Sequence, residues 1–234
     1  LIRLMQEALE GNHNQYAPMG GIYSLREAIV RKTSRLYGAS YHPETEVTLT
    51  AGATQAIYAA IASTVYPGDE VIIFKPAYDC YEPTVKAHGG VPVLLQLKGP
   101  SFEIDWETFT EALNPKTRMV IINTPHNPSG TILKEADLKK LETLLRPTNT
   151  LVLSDEVYEW MNYPGNESEG TSPRNQGHVR MATLPGMWER TVTLGSVLVL
   201  LFVIEAATGM LLAMYYNPSP DLAYKAVDYI MGQV

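Results

Sequence analysis

The sequence predicts an α/β fold: a mostly parallel sheet with helices on both faces, followed by a C-terminal hydrophobic helix. Three observations predict it. Short, almost wholly apolar runs alternate with amphipathic helical patterns, as expected of strands covered on both sides by crossover helices. Polar clusters stand directly after those runs: GAT after VTLTA, PAYD after VIIF, NTPHN after MVII and SDEVY after LVL. Open parallel sheets bind ligands beyond the carboxyl ends of their strands, so this placement is a functional signal before any chemistry is considered. Finally, TVTLGSVLVLLFVIEAATGMLLAMYY at 191–216 turns abruptly apolar.

The elements follow in order. LIRLMQEALEGNHNQY begins inside a helix-like pattern, with neither an initiator Met nor the basic start and apolar core of a signal peptide. The first element of a larger parent is therefore expected to be missing. Residues 23–38, YSLREAIVRKTSRLYG, predict an amphipathic helix: Ser24 and Glu27 have capping-box spacing, Leu25 and Ile29 share a face, and Gly38 is placed to end it. EVTLTAGATQAIYAAIAST (46–64) reads as a short strand, a glycine turn and a helix rich in small residues. VIIF (71–74) is a strand, PAYDCYEP is punctuation, and VPVLLQL (91–97) is a strand. DWETFTEAL (105–113) is a helix that Asp105 can cap. RMVIINT (118–124) and TLVLSDE (150–156) are strands on either side of a helix, KEADLKKLETLL (134–145), with a 3.6-residue period. From Asn162 to Gly186 the chain is rich in Gly, Pro, Ser and Asn and reads as a loop or insert.

Composition narrows the function classes. The chain has 234 residues, 45% hydrophobic and 18% charged, enough for one large domain or a domain plus an appendage. A net charge of −7 argues against nucleic acid as a partner. One cysteine, Cys80, excludes an intrachain disulfide framework or a thiolate metal cluster. It reads as a small buried residue, because no histidine stands beside it to activate a thiolate. His13, His42, His88, His126 and His178 lack metal-ligand spacing, and no metal is assigned.

Four segments could carry chemistry. In TAGATQAI (50–57) a glycine between strand and helix can turn backbone N–H groups and the positive helix end toward an anion, and Thr54 adds a hydroxyl. The same glycine could equally serve only the turn. In NTPHNPSG (123–130) Asn127 precedes Pro128, which holds its backbone extended and can aim the amide at a ligand. Asp155 ends a buried strand, where a carboxylate is costly unless it meets a cation or donors. A Walker-B acid would look the same, but the chain has no GxxxxGK[ST]. A protonated ring nitrogen is the alternative partner, and Tyr158, three residues on, could reach the same ligand. Tyr78 in PAYDCYEP stands where an aromatic ring could stack on a planar cofactor or simply pack.

Together, NQYAPMGG, AGATQA, PAYDCYEP, NTPHNPSG, SDEVYEW and LPGMWERTVTLGS resemble the fold-type I pyridoxal-phosphate aminotransferases, closest to the kynurenine, glutamine and methionine group. The resemblance covers residues 1–196 and makes 1–193 a partial cofactor-binding large domain, with 162–186 a loop or insert. It implies pyridoxal 5′-phosphate as cofactor, with amino acid and 2-oxo acid substrates. Gly52, Ala53 and Thr54 then match the turn that holds the cofactor phosphate, and Tyr78 the ring that stacks on the pyridine. Asn127 matches the amide on the 3-oxygen, Tyr158 a phenol that also reaches it, and Asn123 a neighbour of cofactor or substrate. Asp155 matches the acid on the pyridine nitrogen and Ser196 a phosphate ligand. Tyr16 matches a tyrosine lent across a homodimer interface.

After Ser196 the pattern stops. The resemblance implies a lysine that forms the internal Schiff base and moves the proton, and that position holds Val199. No catalytic residue is therefore assigned, and little or no transamination is expected. The family's later half, with its carboxylate-binding arginine, is expected to be absent. Leu194 to Tyr216 is long enough to cross a bilayer, which needs about 20 residues. Glu205 near its middle costs about 3 kcal/mol, so a soluble buried helix stays open beside a membrane span. GSVLVLLFVIEAATGMLLAMYYNPSPDLAYKAVDYIMGQV also resembles the first transmembrane helix and following loop of cytochrome b and b6 proteins, through Thr208-Gly209, the YYNP turn and the AY…YIM run. That resemblance implies a chimera: residues 1–193 cytoplasmic, and 194–234 a tail that allows membrane contact through 194–216.

Overall fold

The computed structural model describes residues 2–11, 16–162 and 178–195. Strands β1 (Glu70–Lys75), β2 (Val91–Gln96), β3 (Thr117–Asn123), β4 (Leu151–Asp155) and β5 (Thr191–Leu194) form one five-stranded sheet in the order β2-β1-β3-β4-β5. Every pairing is parallel. The helices are α1 (Ile2–Glu10), α2 (Tyr23–Tyr37), α3 (Ala53–Thr64), α4 (Tyr81–Ala87), α5 (Trp106–Ala112) and α6 (Glu135–Leu145).

Strand alternation divides the apolar residues between two cores, as side chains two apart share a face. Ile72 and Phe74 of β1, Val120 and Ile122 of β3, and Val152 of β4 meet Phe109 of α5 and Leu138, Leu141 and Leu145 of α6. Val71 and Ile73, Met119 and Ile121, and Leu153 meet Ile57 and Ile61 of α3 and Val85 of α4 on the other face. Each fully buried Leu, Ile or Val contributes about 1.5–3 kcal/mol of transfer free energy, which accounts for runs such as MVII without a polar residue.

The helix ends follow local chemistry. Asp105 caps α5, its carboxylate accepting from Glu107 N at 3.2 Å and Thr108 N at 3.4 Å. Gly38 ends α2 in the left-handed region, φ 65°. The expected Ser24–Glu27 capping box does not form: α2 begins at Tyr23 with Ile22 as N-cap, so Ser24 already lies inside the first turn. The PAYDCYEP punctuation hides α4, where Pro83 sits in the first turn, a position whose N–H has no intrahelical acceptor.

Two further expectations change. VTLT (47–50) forms no ladder; Leu49 N donates instead to Gly20 O at 3.1 Å. Between this segment and β5 lies a cleft of about 610 Å³, and among the described residues no strand lies beside the segment to pair with it. Of the expected 162–186 loop or insert, residues 163–177 lie outside the described residues, and the part that follows packs down without joining the sheet. His178, Arg180, Met181 and Ala182 are buried, and Met181 joins the core with Met187. The expected C-terminal hydrophobic helix, the 194–216 span and most of the 194–234 tail lie outside the described residues. Among the described residues no helix is long and apolar enough to cross a membrane.

Candidate functional site

The site grows from the carboxyl ends of β1, β3 and β4 and the start of α3. Gly52 is the N-cap of α3, with φ 89° and ψ 163° and no side-chain cap. A Cβ there would meet nothing, so the backbone conformation and not crowding requires glycine. Thr50 Oγ1 donates to Gly52 O at 2.9 Å, and Gly52 N to Thr50 O at 2.9 Å, holding the turn. The first-turn amides of this twelve-residue helix therefore meet no capping side chain, leaving a positive helix end suited to an anion. Thr54 Oγ1 stands 3.2 Å from Tyr78 Oη.

Across the sheet, Asn123 and Asp155 are register partners at the ends of β3 and β4. Asn123 Nδ2 donates to Asp155 O at 3.0 Å, and Asn123 Oδ1 accepts from Asn127 N at 2.7 Å. The amide side chain of Asn123 thus ties the strand end to the NTPHN turn. Asp155 is 4% exposed. Its Oδ2 accepts from Tyr81 Oη at 2.5 Å and its Oδ1 from Val157 N at 3.3 Å. Burial raises the Asp155 pKa, and the Tyr81 and Val157 hydrogen bonds oppose that rise. Burial, with the Asp155 charge, pushes the Tyr81 phenol far up, so it stays a donor. The Cys80 thiol, next in the chain, is pushed up to about 12 by burial and by Asp155, the reverse of an activated thiolate.

Contacts therefore run without a break from Thr54 through Tyr78, Tyr81, Asp155 and Asn123 to Asn127; the Tyr78 and Tyr81 rings meet edge-on at 5.8 Å. Tyr81 is the link sequence reasoning missed. The available signal was its spacing, three residues after Tyr78 at the start of a helix. Ala53 opens α3 beside Gly52, and Tyr158 is half-buried just past β4. Tyr16 is fully exposed on the single chain. Ser196 and Val199 lie outside the described residues.

Behind Asp155 lies a second buried polar group. Glu156 Oε2 meets His178 Nε2 at 3.1 Å and Arg180 Nε at 3.0 Å, while Ser154 Oγ donates to Glu156 Oε1 at 2.8 Å. Glu159 accepts from Arg180 Nη2 at 2.6 Å and Tyr37 Oη at 2.6 Å, and pairs with Lys32. Glu156, Glu159 and His178 bring possible metal-ligating atoms within 4.8 Å of one another, which their sequence spacing does not reveal. Two carboxylates already face Arg180 and Lys32, the charge balance of a buried ion-pair network. It fixes the segment after β4 against α2.

Comparison with known proteins decides the lineage. The family described as aminotransferase class I and II matches residues 1–196. The chain belongs to the aminotransferase class I and II family. The family is pyridoxal-phosphate dependent. Methionine aminotransferase of Escherichia coli K12 is 43% identical over 194 residues, covering 83% of this chain and 47% of that protein. Kynurenine–oxoglutarate transaminase 3 of Rattus norvegicus is 38% identical over 203 residues, covering 82% of this chain and 42% of that protein. Among solved aminotransferases, the Escherichia coli structure with a methionine aminotransferase function superposes with TM-score 0.75 at 42% identity, covering 82% of this chain and 48% of the other. The aromatic aminotransferase of Pyrococcus horikoshii gives TM-score 0.72 at 34% identity, covering 81% and 48%. The chain thus spans about half the length of the aminotransferases it matches. A second family, cytochrome b/b6/petB, matches residues 180–234.

Proposed function

We propose that the carboxyl ends of β1, β3 and β4 with the start of α3 bind pyridoxal 5′-phosphate, and that this chain holds the cofactor without turning over substrate. The observation that supports binding is the contact chain from Thr54 to Asn127 around a buried carboxylate. The donor set fits the group: an uncapped helix start and a hydroxyl suit a phosphate, and amides suit a phenolate oxygen. A buried acid suits a pyridinium nitrogen. Gly52, Ala53 and Thr54 would hold the phosphate, with Ser196 as a further ligand. Tyr78 would cover the ring, Asn127 and Tyr158 would bond the 3-oxygen, and Asn123 would brace Asn127. Tyr16 would act only from the partner of a homodimer. When bound, the cofactor supplies an electron sink for charge developing at an amino acid's Cα. Asp155 holds a proton at the ring nitrogen, and Tyr78 and the strand ends fix orientation.

The parent reaction would transfer an amino group from an aromatic or sulfur-containing amino acid to a 2-oxo acid. Val199 has no amine to link to the cofactor or to carry a proton, and this supports the inactive reading. Equilibrium titration with pyridoxal phosphate tests the pocket: micromolar-range binding by the wild type and at least tenfold weaker binding by Asp155→Ala are expected. Equal affinities would refute the assignment. Borohydride reduction followed by peptide mass mapping tests the inactivity; one modified lysine peptide in stoichiometric yield would overturn it.

A second reading, favoured by the cytochrome b/b6/petB match, makes residues 194–234 a membrane-contacting tail. Release of the full chain from membranes by salt alone, without detergent, would refute it.

A further inference from the structure

The inference rests on the pyridoxal-phosphate reading of these strand ends. We propose that Tyr81 is a positioning residue for that site: its phenol fixes the Asp155 carboxylate and stabilises the ionised form, so that the shared proton stays on the cofactor's ring nitrogen.

Tyr81 opens α4 and is 2% exposed, packed in the core that holds Ile73, Val85 and Ile121. Its hydroxyl donates to Asp155 Oδ2 at 2.5 Å, while Oδ1 takes the Val157 amide at 3.3 Å. The backbone carbonyl of Asp155 is held separately, by Asn123 Nδ2 and Thr124 N, both at 3.0 Å. The strand end is therefore fixed by β3, and the carboxylate by Tyr81. Two accepted bonds leave each oxygen a further lone pair for a ring N–H.

The charges around the acid make the phenol matter. Glu156 is the neighbouring carboxylate, and its charge disfavours ionisation of Asp155. Cys80 and Tyr81 are both held neutral. Tyr78 packs on Tyr81 and bonds Thr54. Arg180 and Lys32, the nearby cations, are paired with Glu156 and Glu159. Against burial and Glu156, the Tyr81 phenol is the counterweight: a short, charge-assisted O–H···O⁻ bond. Phenylalanine would fill the same volume and leave Oδ2 without its donor.

The test is the chemical shift of the ring nitrogen in 15N-labelled pyridoxal phosphate bound to the full chain, followed across pH. In wild type the nitrogen is protonated at neutral pH. Tyr81→Phe should lower the midpoint of deprotonation by about one pH unit, a tenfold change in protonation. It should also weaken cofactor binding by about tenfold. A packing role alone would lower the thermal midpoint and leave the nitrogen titration unchanged, and that result overturns the proposal. Should Tyr81→Phe fail to fold, 3-fluorotyrosine placed at position 81 keeps the bond and strengthens the donor. The midpoint must then rise, and an unchanged midpoint overturns the proposal. Asp155→Ala separates the two claims. If it binds as wild type does, or if wild type shows no bound signal, the cofactor reading itself fails. If it binds weakly while Tyr81→Phe titrates as wild type, only the role of Tyr81 fails.

Discussion

Asp155 places a carboxyl group where water hardly reaches, held by one phenol and one backbone amide. Burial raises its folded-state pKa above the unfolded value of about 3.8, so protons bind the folded chain more tightly. Stability from this group is present at low pH and is lost as pH rises from about 3.8 toward the raised value. Asp155→Asn should therefore make the unliganded chain more stable at pH 7 in urea unfolding, with the gain vanishing in acid. Stability gained there at the expense of ligand binding is the usual sign of a functional residue. Glu159 is the contrasting case, because its partners are cations. Glu159→Ala removes the buried acceptor shared by Lys32, Tyr37 and Arg180, leaving Arg180 its Glu156 partner, and should cost about 3 kcal/mol by the same measurement. Asp155, Asn123, Thr54 and Tyr78 were legible in the sequence because each follows a strand or opens a helix. Tyr81 and Glu159 were not: Tyr81 lies 74 residues from Asp155 and Glu159 lies 122 from Tyr37, and no local pattern encodes that.

At the level of elements, β1 to β4 were legible because buried parallel strands need unbroken apolar runs, and α5 and α6 because their period and caps agree. The failures share a cause: tertiary surroundings overrode a local signal. VTLT has strand composition but no neighbouring strand among the described residues, whereas TVTL became β5 because β4 offers it an edge. Reading TVTL as the lead-in to an apolar tail hid that strand. Two glycines at similar φ show how context sets magnitude. At Gly21, φ 90°, a Cβ would sit 2.5 Å from the Leu49 side chain; at Gly52, φ 89°, it would meet nothing. Gly21→Ala should cost about 3 kcal/mol in unfolding free energy, from strain plus overpacking. Gly52→Ala should cost about 1–2 kcal/mol, from strain alone, yet weaken phosphate binding more than Gly21→Ala does.

For the whole molecule, the sheet brings residues 50–54, 74–81, 123–127 and 155–158 to one end, the placement that the polar clusters after the apolar runs led one to expect. The limit of the domain was less legible. A boundary at residue 193 would cut β5, whose Leu194 is 6% exposed and whose carbonyl accepts Glu156 N at 3.0 Å. Calorimetry of chains ending after Thr193 and after Gly195 should show the shorter one less stable by about 2–4 kcal/mol, the cost of a lost buried leucine. Equal stability would mean that the Leu194 contacts contribute nothing. The central claim, that separate strand ends grip one phosphorylated pyridine, is tested most directly by a crystal structure of the full chain soaked with pyridoxal phosphate. The account predicts the ring nitrogen within hydrogen-bond distance of Asp155, and the phosphate on the amides of Ala53 and Thr54. Cofactor density elsewhere on the chain, with Asp155 and the start of α3 untouched, would contradict it.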